Sequence, residues 1–112
     1  MPRRGSGHNA ERRALRHYRL RGFRILAVNA WAGGNELDLV VRRGRRLAFV
    51  EVKEKASDLG DPLEMVHPEK ARRVRAAALA WLAAHPEVAE LEVELEAVGV
   101  QGRKIERVAE AF

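Results

Sequence analysis

The 112-residue sequence has no cysteine, which excludes disulfide scaffolds, zinc ribbons and cysteine nucleophiles. Threonine is absent too, and neither of the available hydroxyl nucleophiles, Ser6 and Ser57, sits in the strand–turn–helix elbow of a serine hydrolase. Long hydrophobic runs are also missing. The longest uncharged stretches, 25–35 and 76–86, fall far short of the roughly 20 apolar residues of a membrane span. The basic N-terminus has no apolar stretch behind it, so no secretory signal is expected. These absences lead to the expectation of a soluble, cytoplasmic protein with no membrane partner.

What is present is charge of one sign on a globular background. Hydrophobic residues make up 46% and charged residues 33%, the balance of one folded domain over 1–112 with its first seven residues expected to fray. Lys and Arg number 21 against 16 acids, for a net charge of +5, and all but Lys53, Lys55, Lys70 and Lys104 of those cations are arginine. The planar guanidinium fork binds phosphate in bidentate fashion, so this bias favours nucleic acid as partner. Genome base composition or heat tolerance would produce the same excess without any such partner.

The pattern predicts a helix over 9–21 stopped by Gly22, then a strand over 23–30 and a flexible stretch around Gly33-Gly34. Strands over 36–42 and 46–53 form a hairpin about Arg43-Gly44, and 56–67 is a loop. A helix over 68–84 follows, with an apolar stripe of Val74, Ala77, Ala78, Trp81 and Leu82. A strand over 91–100 alternates Leu91, Val93 and Leu95 against Glu92, Glu94 and Glu96, and a short strand covers 104–109. The order is αβββαβ with one extra strand: an α/β fold with a mixed sheet flanked by helices.

Two groups of residues carry chemistry. On the first helix, Leu15, Tyr18 and Ala14 lie within about 60° of Glu11 around the axis. Glu11 is therefore aimed with the apolar face, where a carboxylate is costly unless cations or donors meet it. The plain alternative is an acid that satisfies the helix N-terminus and escapes to water. Arg12, Arg16 and Arg19 form a separate basic stripe. In the hairpin, the expected register sets Glu36 opposite Glu51 and Asp38 opposite Phe49. Glu36, Asp38, Glu51 and Lys53 then share one face, and Leu37, Leu39, Ala48, Val50 and Val52 the other. Neighbouring carboxylates repel unless a divalent cation or raised pKa values relieve them. With a lysine two residues beyond one of them, they suit Mg²⁺ or Mn²⁺ and a phosphate substrate. The alternative is the solvent face of an amphipathic hairpin, against which Phe49 counts.

Glu36-Leu37-Asp38-Leu39-Val40 followed by Phe49-Val50-Glu51-Val52-Lys53 resembles the D…(E)-x-K pattern of the PD-(D/E)XK nuclease superfamily. Within it the chain resembles the YraN-like bacterial family, distantly similar to archaeal Holliday junction resolvases. Gly7-His8-Asn9-Ala10-Glu11, Gly22-Phe23-Arg24-Ile25-Leu26, Gly60, Lys70, the segment 77–82 and the terminal Ala111-Phe112 match along nearly the whole chain. The resemblance implies a restriction-endonuclease-like αβββαβ core with a divalent ion held by Asp38, Glu51 and the Val52 carbonyl. It also implies Lys53 beside the attacking water, Glu11 as an outer acid in the same cleft, and Glu36 in support. Asn35, Glu54-Lys55 and Ala10 depart from the family's commoner residues, and none removes a ligand.

The expected function is a Mg²⁺- or Mn²⁺-dependent endonuclease on DNA, with branched DNA foremost, and a homodimer is compatible with it. The alternative is a nucleic-acid-binding domain that keeps the fold without cleaving. Arg12, Arg16, Arg19, Arg43 and Arg45 are the candidate phosphate contacts. The Arg72, Arg73 and Arg75 cluster reads as a solvated face, the four histidines as surface residues, Trp31 as a loop anchor and Trp81 as core.

Overall fold

A computed structural model describes residues 5–54 and 68–109, with side chains for 9–54 and 68–107. The element order is α1 (Gly5–Leu20), β1 (Arg24–Ala32), β2 (Asn35–Arg43), β3 (Arg46–Glu54), α2 (Pro68–Ala84), a 3₁₀ turn at Pro86–Val88, β4 (Glu92–Gln101) and β5 (Lys104–Ala109). This is the expected αβββαβ arrangement with its additional strand. The helix α1 begins at Gly5, earlier than expected, so 5–7 are helical. The loop 56–67, with Gly60 and His67, lies outside the described residues, as do the His8 side chain and the last three residues.

The five strands lie in chain order in one sheet. β1–β2, β2–β3 and β4–β5 pair antiparallel, and β3–β4 pair parallel across the crossover that contains α2. Each face of the sheet carries one helix. Ala10, Ala14 and Tyr18 of α1 pack on Leu39, Val41, Ala48, Val50, Val98 and Val100. Val74, Ala77, Ala78 and Trp81 of α2 pack on Val40, Leu47 and Phe49. Small alanines let both helices approach closely, and edge-to-face pairs lock each layer: Tyr18–Phe23 at 5.2 Å and Phe49–Trp81 at 5.7 Å.

Gly33 and Gly34 form a tight turn rather than a flexible stretch. Both have positive φ, 58° and 79°, the geometry that matches strand twist in a two-residue hairpin. A Cβ on Gly33 would stand 3.0 Å from the Ala80 Cβ, so this turn also seats against α2. Trp31 belongs to β1 and is 73% exposed, so it anchors no loop. Two of the four histidines are not surface residues. His85 stacks on Trp81 at 3.7 Å and its Nδ1 bonds the Trp81 carbonyl oxygen at 2.7 Å. His17 is half-buried against Tyr18. Burial, with Arg21 and Arg107 nearby, holds its imidazole below the ordinary value.

The alternation expected in β4 fails at both ends of its polarity. Val93 is 44% exposed, whereas Glu96 is fully buried. Its carboxylate accepts hydrogen bonds from the Tyr18 hydroxyl at 2.6 Å and from Arg107 at 3.0 and 3.3 Å.

Candidate functional site

The hairpin turn is Gly44-Arg45, and the pairs Leu39–Val50 and Val40–Phe49 set the register two residues from the expected one. A slip of two preserves the alternation, so Asp38, Glu51 and Lys53 keep a common face opposite Leu39, Ala48 and Val50, and of the expected faces Leu37 departs. It changes who meets whom: continuing the register by one residue brings Asp38 level with Glu51.

The β2 strand departs from regular pairing at that point. Asn29 in β1 has φ +52°, and the ladder pairs Val28–Leu39 and Ala30–Leu37 without pairing Asn29 to Asp38. The alternation breaks between Leu37 and Asp38, and Leu37 joins the α2-side core instead of the α1 side expected of it. In place of a ladder bond, the Asp38 Oδ2 accepts the Val52 backbone N–H at 2.8 Å. The irregular strand thus aims an acid across to the end of β3, where a side-chain oxygen takes over the role of a backbone carbonyl.

Asp38 and Glu51 are both buried and lie close enough for each to shift the other's titration. Burial, then the Asp38 charge, pushes the Glu51 carboxyl up to about 7 against the pull of Lys70. Asp38 is raised as well, chiefly by burial, with the Val52 N–H and the Lys70 charge opposing and Glu36 adding. Lys70, in the first turn of α2, places its Nζ 2.7 Å from Glu51 Oε2. Two carboxyls and one ammonium therefore occupy the α2 side of the sheet at the end of β3, so the pair in its fully ionised form is only half neutralised.

Several expected members lie nearby without joining the pair. Lys53 is exposed on β3, level with Gly99 of β4, and by alternation on the Glu51 side. Glu36 is half-buried and close enough for its charge to be felt at Asp38. Glu11 is buried on α1. The Arg13–Gly102 bond at one end of α1 and the Tyr18–Glu96 bond further along show that α1 runs antiparallel to β4. Glu11 thus stands at the sheet end where β3 finishes, but in the α1 layer, across the sheet from Lys70. Among the described residues no three His, Asp or Glu side chains gather closely enough to hold an ion. The expected row of three carboxylates is a pair, and Glu11 is not its third member.

Arg12, Arg16 and Arg19 are exposed along α1, as expected of a basic stripe. Arg43 and Arg45 are exposed as well, and each also donates to the backbone: Arg43 Nη1 to the Arg21 carbonyl at 2.9 Å and Arg45 Nη2 to that of Glu90 at 2.9 Å. Lys70 is the site residue that was not singled out for a role. Its signal lay in the sequence, since Lys70 continues the buried Val74–Ala77–Trp81 stripe one turn back. A lysine on an apolar stripe implies a buried anion to meet it.

The donor set of the pair fits the chemistry of a hard divalent cation. Its donors are oxygens, its charge is incompletely neutralised, and Mg²⁺ commonly takes one or two carboxylates with water and phosphate completing its shell. No described helix is long and apolar enough to cross a membrane.

The five-stranded mixed sheet and its two helices form an α/β domain consistent with a restriction-endonuclease-like core, with paired acids on its central strands. Residues 10–108 match the model of the uncharacterised protein family UPF0102. The chain belongs to that family, the YraN-like group that the motif order indicated. It is 42% identical over 102 residues to a UPF0102 protein of Bradyrhizobium diazoefficiens, covering 91% of this chain and 76% of the relative. A UPF0102 protein of Methylorubrum extorquens is 45% identical over 100 residues, with 89% and 77% covered. One of Nitrobacter winogradskyi is 40% identical over 102 residues, with 91% and 86% covered.

Proposed function

We propose that this protein is a divalent-metal-dependent endonuclease that hydrolyses phosphodiester bonds in nucleic acid, with branched DNA the foremost candidate substrate. The supporting observation is the Asp38–Glu51 pair, two buried carboxyls on adjacent strands that one ammonium neutralises incompletely. Holding such a pair without a further cation is costly, and a ligand-binding role accounts for it. Asp38, Glu51 and the Val52 carbonyl would hold Mg²⁺ or Mn²⁺, with Glu36 in support. Bound there, the ion would supply charge neutralisation at the phosphoryl group and a more acidic water. The Lys53 ammonium, at the exposed end of β3, would meet the charge that develops on the phosphate.

A second reading, a nucleic-acid-binding domain without turnover, draws on one specific contact. Lys70 already sits on Glu51 at 2.7 Å, an internal cation where a metal would compete. Lys53→Ala separates the two. For an enzyme, cleavage of a branched duplex with Mg²⁺ should fall at least a hundredfold while affinity changes less than threefold, because the lysine acts on transition-state charge. A wild-type protein that binds tightly and cuts no duplex, single-stranded or branched DNA with Mg²⁺ or Mn²⁺ rejects the enzyme.

A further inference from the structure

A second charged feature lies on the α1 face, away from the acidic pair. Arg12, Arg13, Arg16, Arg19 and Arg21 of α1 and its C-terminal turn meet Arg103 of the β4–β5 turn around an open concavity of about 1180 Å³. Six guanidiniums exceed the net charge of the whole chain, +5, so the remainder of the protein is close to neutral and the excess is focused here. Among the described residues, no carboxylate lines the concavity. Among the described residues, Arg46, Lys70, Arg72, Arg73 and Arg107 form ion pairs and lie outside this wall. Leu15 and Ile105 contribute apolar surface beneath the guanidiniums, which strengthens their field at the opening.

The groove has built parts as well as charge. Arg13 Nη1 donates to the Gly102 carbonyl oxygen at 2.6 Å, tying α1 to the β4–β5 turn so that Arg103 stays opposite the helix. His17 lines the same wall, and its buried Nε2 has no hydrogen-bond partner among the described residues. From Arg12 to Arg21 the arginines span about 13 Å at 1.5 Å per residue, the axial rise of roughly four phosphates along one strand of a duplex at 3.4 Å each. Among the described residues no Phe, Tyr or Trp lines the groove, so they offer none of the stacking platforms that hold single-stranded bases.

From these features we infer that the α1/β4–β5 groove binds the sugar–phosphate backbone of a nucleic-acid duplex without reading its bases. This rests on the nucleic-acid part of the proposed function and adds the surface, the strand form and the mode of contact. Because α1 runs antiparallel to β4, the Arg12–Arg13–Arg103 end of the groove lies at the sheet end where β3 carries Glu51 and Lys53. A duplex gripped there is anchored at the end of the molecule that bears the acidic pair.

The test is fluorescence anisotropy with 30-base-pair DNA duplexes of two unrelated sequences and the matching single strand, without divalent metal. Two triple variants of equal charge change are compared: Arg12→Gln/Arg16→Gln/Arg103→Gln in the groove, and Arg72→Gln/Arg73→Gln/Arg75→Gln on α2. Both leave Arg13 and its Gly102 bond in place, and thermal melts establish that both are folded. The groove variant should bind duplex at least tenfold more weakly at 0.1 M salt, and its slope of log K against log salt should be shallower by about 2.7, at roughly 0.9 per phosphate contact. The α2 variant should stay within threefold of wild type, the two duplex sequences should bind alike, and the single strand should bind more weakly. Equal losses in both variants would reduce the effect to bulk charge and overturn the groove. An unchanged groove variant, or a preference for single strand, overturns it too. A protein that binds duplex through the groove yet never cleaves loses the endonuclease and keeps this inference. One that cleaves with an unaffected groove variant does the reverse.

Discussion

Glu51 and Glu96 are buried acids on neighbouring parallel strands, one register step apart, and they face opposite sides of the sheet. Glu96 stands level with Val50 and points into the α1 layer, whereas Glu51 stands level with Ala97 and points toward α2. Their surroundings differ in completeness. The Glu96 side chain is 0% exposed and meets the Tyr18 hydroxyl, a two-toothed Arg107 and, at 3.7 Å, Arg46, which also holds the neighbouring Glu94 carboxyl, so two guanidiniums face two acids. Glu51 meets the ammonium of Lys70 and a second carboxyl, that of Asp38. Burying either acid costs several kcal/mol. At Glu96 the protein's own donors offset that cost, which marks a structural element with no vacancy for a ligand. At Glu51 two carboxyls face a single ammonium, and that imbalance is what the proposed cation site rests on. Burial of an acid alone therefore does not identify a site; the count and sign of its partners do.

The comparison breaks most visibly at Glu96. Glu96→Ala should lower the unfolding free energy by about 3–5 kcal/mol, because Arg107 and the Tyr18 hydroxyl lose a buried partner. Metal binding should be unaffected at temperatures where the variant is folded. A loss below about 1 kcal/mol in urea melts would show that the network is not structural.

The opposite sign is expected at Glu51. Its folded-state value of about 7 lies above its ordinary 4.5, so the native protein holds a proton that the unfolded chain releases between those limits. Stability should fall as pH rises through that window, and the penalty is complete above it. Glu51→Gln removes the titration and should stabilise the metal-free protein by about 1–3 kcal/mol at pH 8, with little effect at pH 4. Urea melts at both pH values measure this, and a destabilised Glu51→Gln at pH 8 would place Glu51 with Glu96.

Two smaller substitutions sharpen the contrast. Tyr18→Phe keeps the edge-to-face packing on Phe23 and removes one hydrogen bond to Glu96, for a loss of about 1 kcal/mol. Lys70→Met should change stability by less than about 1 kcal/mol, since the lysine is 41% exposed. It should instead move the pH window of Glu51 upward, which the midpoint of the pH–stability profile records.

Much of this layout was legible in the sequence because it depends on local periodicity. The limits of α2 and β5, the burial of Glu11, and the common face of Asp38 and Glu51 all follow from repeats of 3.6 or 2 residues. The exact register did not follow, because the turn could have been placed on either side of Gly44, and parity alone cannot distinguish slips of two. Glu96 was misread for a different reason. Alternation assigned it to the solvent side with Glu92 and Glu94, whereas its burial depends on Tyr18 and Arg107, brought to it by the packing of α1 and the return of β5. Leu37 was assigned to the wrong layer because nothing in the sequence announced the positive φ of Asn29 and the break beside Asp38. Lys70 could have been found by continuing the α2 stripe one turn toward its start.

The central claim is that the incomplete neutralisation at Asp38 and Glu51 is a divalent-metal site. Calorimetric titration of the protein with Mn²⁺ at pH 6.5, in two buffers of different ionisation enthalpy, tests it most directly. Burial and the Asp38 charge push the Glu51 carboxyl up to about 7, so the fraction protonated at pH 6.5 must lose its proton as the ion enters, and wild type should bind Mn²⁺ with net proton release. Asp38→Asn and Glu51→Gln should each weaken binding at least tenfold and abolish the release. A wild type that takes up no Mn²⁺, or variants that bind it with wild-type affinity and the same proton release, would contradict the account.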